Sequence, residues 1–160
     1  MRHTSLLVWC ASLLVLACPG ADAFAQRAGG TVVQRGTVED DLYLAAGQVD
    51  VLATVEGDLI VAGGRVNVGD VVKGDVLAAG GAVTVHGRVL DDVRVAGGQV
   101  SIQADVAGDV TAVGGSVSVP REARVHGRAW LAGGEVDVQG RVGRSLRAAA
   151  CSGNSRRTSA

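Results

Sequence analysis

Five aspartates stand at equal intervals along this chain: Asp41, Asp58, Asp75, Asp92 and Asp109 follow one another every seventeen residues. A file of carboxylates beside glycine is an array that could bind calcium, because hard cations take oxygen ligands. The spacing is not that of the nine-residue calcium-binding repeat GGxGxDxUx. The file also continues as Arg128 and Arg144, side chains that would repel a cation. The reading carried forward is structural. Each aspartate accepts hydrogen bonds from backbone N–H groups at a corner, as in an Asx turn, and no metal is expected.

Other residue types with chemical potential are isolated. His86 and His126 lie forty residues apart without a second histidine or cysteine at ligand spacing, so they read as surface turn residues. No serine sits in a Gly-x-Ser-x-Gly elbow, and the glycine pairs lack the lysine and Ser/Thr of a phosphate-binding loop. Cys10 and Cys18 fall near the N-terminus, which leaves Cys151 alone and excludes an intrachain disulfide framework. No catalytic, cofactor-binding or metal-ligating residue is therefore assigned, and the chain is not expected to be an enzyme. A formal net charge of −1 gives no pull toward nucleic acid, which is not an expected partner.

The elements that carry these residues repeat. A small pair recurs at Ala46-Gly47, Gly63-Gly64, Gly80-Gly81, Gly97-Gly98 and Gly114-Gly115, then at Gly133-Gly134 after a rung lengthened by two. A fixed short period signals a solenoid whose copies bury their apolar faces against one another. Let position 1 of a rung be Gly57 and position 17 be Lys73. Valine, leucine and alanine then hold positions 3 and 5 (Leu59/Val61, Val76/Ala78), positions 10 and 12 (Val66/Val68, Val83/Val85) and position 16 (Val55, Val72, Val89). Their alternation with polar residues is a strand period of two. Corners are expected at the glycine pair, at position 1 (Gly57, Gly74, Gly108, Gly127, Gly143) and at positions 13–14, giving three faces and a triangular section. Glycine at the paired corner is expected to take positive φ. Aromatic residues are only 2% of the chain, so valine, alanine and glycine must do the packing. The fold class is all-β: one parallel β-helix (β-solenoid) domain over residues 29–150, with six to seven rungs. The last copy, Gly143 to Ala150, places Ser145 and Arg147 inward.

The flanks read differently. Residues 1–25 have a basic start, an apolar run from Leu6 to Ala17 and a small-residue end at Ala23-Phe24-Ala25. This is a secretory signal peptide with cleavage before Gln26. Leu16-Ala17-Cys18 offers a second cut that would leave a lipidated Cys18. Either route takes the protein to the periplasm or cell envelope. Residues 151–160 lack periodicity and are expected to be a disordered tail.

The repeat GDVxxAGGxVxVxGxV and its valine core resemble the bactofilins, the polymer-forming cytoskeletal proteins of bacteria, over roughly residues 29–150. The resemblance implies a right-handed parallel β-helix that joins end to end into non-polar filaments without nucleotide, often near the membrane. Bactofilins are typically cytoplasmic, whereas this chain starts with an export signal and looks like an exported relative. The expected function is a non-enzymatic, self-assembling scaffold of the cell envelope. Its partner is itself, through terminal rungs that neither flank can cap, with an envelope or membrane-associated partner besides. The alternative is an adhesive or carbohydrate-binding exported β-helix using outward polar residues such as Gln48, Arg65, Gln99 and Glu135. A further outward column at position 4 (Tyr43, Ile60, Leu77, Trp130, Leu146) is a candidate contact surface, interrupted by Arg94 and Thr111.

Overall fold

The computed structural model describes residues 25–151, with side chains from Gly30 onward. Of the expected signal peptide 1–25 only Ala25 is described, and of the expected tail 151–160 only Cys151; the Cys18 lipidation site lies outside the described residues.

Twelve strands and no helix make up the described chain: β1 (Ala25–Val38), β2 (Leu42–Val55), β3 (Leu59–Val68), β4 (Val76–Val85), β5 (Arg88–Val89), β6 (Val93–Ile102), β7 (Asp105–Val106), β8 (Val110–Val119), β9 (Arg124–Val125), β10 (Ala129–Val138), β11 (Arg141–Val142) and β12 (Leu146–Ala150). Every pairing is parallel and joins residues one rung apart, as in Val76↔Val93 and Val85↔Ile102. An eight-stranded sheet runs in the order β1-β2-β3-β4-β6-β8-β10-β12, and a four-stranded one in the order β11-β9-β7-β5. Bridges Val55↔Val72 and Val72↔Val89 carry the second file toward the N-terminal end. The result is a β-solenoid of about seven turns with a period of about seventeen residues.

The core is a column of aliphatic side chains, most of them valine. Leu59, Val76, Val93 and Val110 at position 3, Val49, Val66 and Val83 at position 10 and Val55, Val72, Val89 and Val106 at position 16 are all buried. No polar or charged residue is buried among the described residues. Each such valine contributes about 1.5–3 kcal/mol on burial. That gain is opposed by the ordering entropy of its rung, so the stack gains stability only as rungs add.

Three details differ from the sequence expectation, and a fourth locates the long rung's extra residues. First, the glycine pair is a bend inside a strand rather than a break, since β3, β4, β6, β8 and β10 all run through it. Inward positions step from 5 to 10 across the pair, an odd step that turns the chain. Positive φ is not the reason for glycine there, because Gly36 is the glycine with positive φ among the described residues. The reason is close approach: a Cβ on Gly80 would lie 2.5 Å from the carbonyl oxygen of Gly63, and one on Gly63 would lie 2.6 Å from that of Ala46. Second, position 14 is a core position where it can be. Ala53, Ala104 and Ala123 are fully buried there.

Third, the last copy sits one residue away from the expected register. Leu146 pairs with Ala129, Arg147 with Trp130 and Ala148 with Leu131. Leu146 and Ala148 therefore take the inward positions, and Arg147 takes outward position 4. Gly143 follows Gly127 at an interval of sixteen rather than seventeen, so the two glycines do not hold the same rung position. In the structure Gly143 closes the preceding rung by donating to the Val125 carbonyl at 2.7 Å, and Arg144 takes position 1 by donating to Gly127. Fourth, the two extra residues of the long rung lie at the corner between β8 and β9. There Ala123 N donates to Pro120 O at 3.0 Å and the register on both sides is kept.

Candidate functional site

The aspartate file is a ladder between rungs. Asp41 Oδ1 accepts the backbone N–H of Asp58 at 2.9 Å, Asp58 that of Asp75 at 2.8 Å, Asp75 that of Asp92 at 3.1 Å, and Asp92 that of Asp109 at 2.8 Å. The partners are backbone N–H groups, as expected, but they belong to the next rung rather than to the aspartate's own turn. Position 1 is glycine for a related reason. A Cβ on Gly74 would stand against Asp58 Oδ1 and 2.7 Å from the Gly57 carbonyl.

Arg128 ends the ladder by donating three times to Asp109. Its backbone N–H meets Oδ1 at 2.7 Å, while Nε and Nη2 meet Oδ2 at 3.0 and 2.7 Å. The Arg128 side-chain hydrogen bonds hold the Asp109 carboxyl below the usual aspartate range, and Asp109 raises the guanidinium in return. The next residue in the column is Ser145 and not Arg144, because of the corrected register.

Where position 1 is Asp91 instead of glycine, the oxygens of Asp75, Asp91 and Asp92 gather within 4.8 Å of one another. Arg94 already sits on this group. Its Nη1 lies 2.8 Å from Asp75 Oδ2 and its Nη2 lies 3.1 Å from Asp92 Oδ2. Asp75 above all raises the Arg94 pKa. A fixed guanidinium supplies the positive charge these carboxylates need, and its presence repels a second cation.

The histidines are not brought into one site. His86 Nδ1 lies 3.0 Å from Gln103 Oε1, and His126 Nε2 lies 3.0 Å from Asp105 Oδ1. Both are exposed and belong to columns of stacked polar residues along the corner and third face. An open depression at that corner is lined by Asp70, His86, Arg88, Gln103, Asp105 and Glu122. It holds no serine or cysteine, and Asp105 is shared by Arg88 and His126.

The outward surfaces sort by chemistry. Position 4 carries Tyr43, Ile60, Leu77 and Trp130, with Leu77 and Trp130 each 50% exposed. Position 6 adds Ala45, Ala62, Ala79, Ala96 and the 52%-exposed Val113, so this face is more apolar than position 4 alone suggested. Arg147 replaces Leu146 in the column and stacks over the Trp130 ring at 4.9 Å. The face through positions 9 and 11 is polar, with Gln48, Arg65, Gln99 and Glu135 on its outer column. No helix among the described residues is long and apolar enough to cross a membrane.

Among the described residues, the core is least covered at the C-terminal rung. β1 and β12 are the two edges of the large sheet. Leu146 is 45% exposed at an inward position, Ala148 beside it is exposed, and Val138 and Val142 are only partly covered. The expected register puts Ser145 and Arg147 at the C-terminal core, which would make that end polar; the structure puts Leu146 and Ala148 there instead. The signal that would have found the true register is the pair Leu146/Ala148, seventeen residues after Ala129/Leu131.

No family model, no curated protein and no solved structure matches the chain.

Proposed function

We infer that this protein is a non-enzymatic structural module of the bacterial cell envelope that assembles with copies of itself through its terminal rungs. The observation that carries the reading is the C-terminal edge of the described residues, where Leu146 and Ala148 are exposed at inward positions that the central rungs bury. Edge strands of this kind template further pairing unless they are capped, and solenoids rely on polar caps to stay soluble. The resemblance to bactofilins supports such a role, and the export signal read in residues 1–25 supports an envelope location. The alternative, an adhesive or carbohydrate-binding module, would use the exposed column of Gln48, Arg65, Gln99 and Glu135. That face lacks the aromatic rings on which sugars stack.

Sedimentation velocity of the purified protein from low to high micromolar concentration tests the reading. Oligomers that grow with concentration are expected, and Leu146→Lys combined with Ala148→Lys should reduce them while leaving the β-sheet circular dichroism intact. A strict monomer at high micromolar concentration would overturn self-assembly.

A further inference from the structure

The four-stranded sheet contains a pairing that the rest of the molecule avoids. Arg124 of β9 lies in register beside Arg141 of β11, one strand spacing or about 4.8 Å away. Their backbones are held alike: the Arg124 N–H donates to the Ala104 carbonyl and the Arg141 N–H to that of Ala123, each at 3.1 Å. Val125 and Val142 beside them turn inward, so both guanidiniums leave the sheet on its exposed side. Among the strand pairings of the described residues, this is the one that sets like charges side by side. Like charges directly opposite each other destabilise a sheet.

No described residue neutralises the pair. Elsewhere a charge meets its opposite one rung away, as Glu56 meets Lys73 at 2.6 Å and Arg88 meets Asp105 at 3.6 Å. Asp105 is also the register partner of Arg124. Its Oδ2 is taken by Arg88, however, and its Oδ1 lies 3.0 Å from His126 Nε2. Glu122, two residues before Arg124, is exposed and joins neither arginine. From Arg121 to Arg147 the chain holds six arginines and three acids. Of these arginines, Arg128 is the one with a carboxylate partner among the described residues.

We propose that Arg124 and Arg141 together bind a phosphate group of an anionic ligand. Proteins break a local rule chiefly where function requires it, and an anion between these side chains removes the repulsion. The chemistry selects phosphate over carboxylate. One guanidinium fork fills both oxygens of a carboxylate and leaves the second arginine unmatched. A phosphate group brings three acceptor oxygens and nearly two charges, so it accepts from two forks and balances both. Arginine rather than lysine at each position suits such planar, bidentate recognition. Arg121, at the corner that opens β9, and Arg144, three residues past Arg141, add to the local positive potential that draws an anion in. This reading goes beyond self-assembly and does not depend on it.

Titration of the purified protein with pyrophosphate, followed by NMR at the backbone amides and arginine Nε groups, tests the site. Saturable shifts are expected at Arg124 and Arg141. Arg124→Gln or Arg141→Gln, each checked for intact circular dichroism, should weaken binding about tenfold or more, while Arg65→Gln on the polar face should leave it unchanged. Co-sedimentation with phosphatidylcholine vesicles, with and without phosphatidylglycerol, separates the sources of phosphate. Retention on the anionic vesicles, lost when both arginines are replaced, supports the site with a lipid headgroup as its ligand. Pyrophosphate binding without retention supports it with a soluble phosphate. Failure of both probes, binding that survives the double substitution, or equal binding of the carboxylate glucuronate would overturn the proposal. A second readout needs no ligand. Arg141→Gln should raise the melting temperature at low salt, and the gain should fade as salt screens the repulsion. Absence of that gain would overturn the uncompensated charge on which the site rests.

Discussion

At the scale of the residue, the aspartate ladder is a set of hydrogen bonds in which geometry matters more than charge. Asp58 uses one carboxylate oxygen to hold the N–H of Asp75. Asp58→Ala removes that acceptor and is expected to cost about 0.5–1.5 kcal/mol, whereas Asp58→Asn keeps an oxygen in place and should cost less. Urea titration of the two variants checks the order. The top of the ladder adds a pH dependence. Because Arg128 holds the Asp109 carboxyl below the usual aspartate range, its contribution is complete above the unfolded value of about 3.9 and is lost as pH falls through the lower folded value. Carboxyl titration by NMR should place Asp109 below the usual value, and Arg128→Ala should return it upward. The regular spacing of the aspartates was visible in the sequence, and so was their structural role. The partner one rung away was not, because an Asx turn and an inter-rung ladder leave the same residue at the same interval.

At the scale of the element, the strands were legible and the reason for their bends was not. Alternating valines at positions 10 and 12 announce a strand whatever lies around them. A glycine pair announces only that side chains are not tolerated there, and the sequence does not distinguish positive φ from a neighbouring carbonyl. The structure gives the second reason, which has a different consequence. Gly80→Ala should destabilise the stack by about 1–3 kcal/mol through overpacking against the Gly63 carbonyl. Gly30→Ala should be close to neutral, since a Cβ there meets nothing within 4 Å. Thermal melts of the two variants separate these outcomes. The register of the final copy has the same origin: Gly143 ends a rung rather than starting one, and the apolar pair Leu146/Ala148 marks the inward positions.

At the scale of the whole molecule, stability is a sum over rungs and their interfaces. Central rungs have neighbours on both sides, while β1 and β12 have one. Amide hydrogen exchange at low micromolar concentration should therefore be fastest in β1 and β12 and slowest near β4 and β6, because local opening is cheapest where fewest contacts are lost. Uniform protection along the chain would contradict a stack that frays from its ends.

The corner at Pro120–Ala123 carries a consequence of another kind. Two added residues there left the pairing of Val119 with Val138 and of Arg124 with Arg141 undisturbed. Within Val93–Ile102, by contrast, removing one residue would turn an inward column to solvent. Tolerance to changes in length is thus concentrated at one edge of the solenoid. A foreign peptide grafted between Pro120 and Ala123 would project from that edge while every rung kept its frame. If copies stack in line, such grafts would be displayed in a row at the repeat of the molecule.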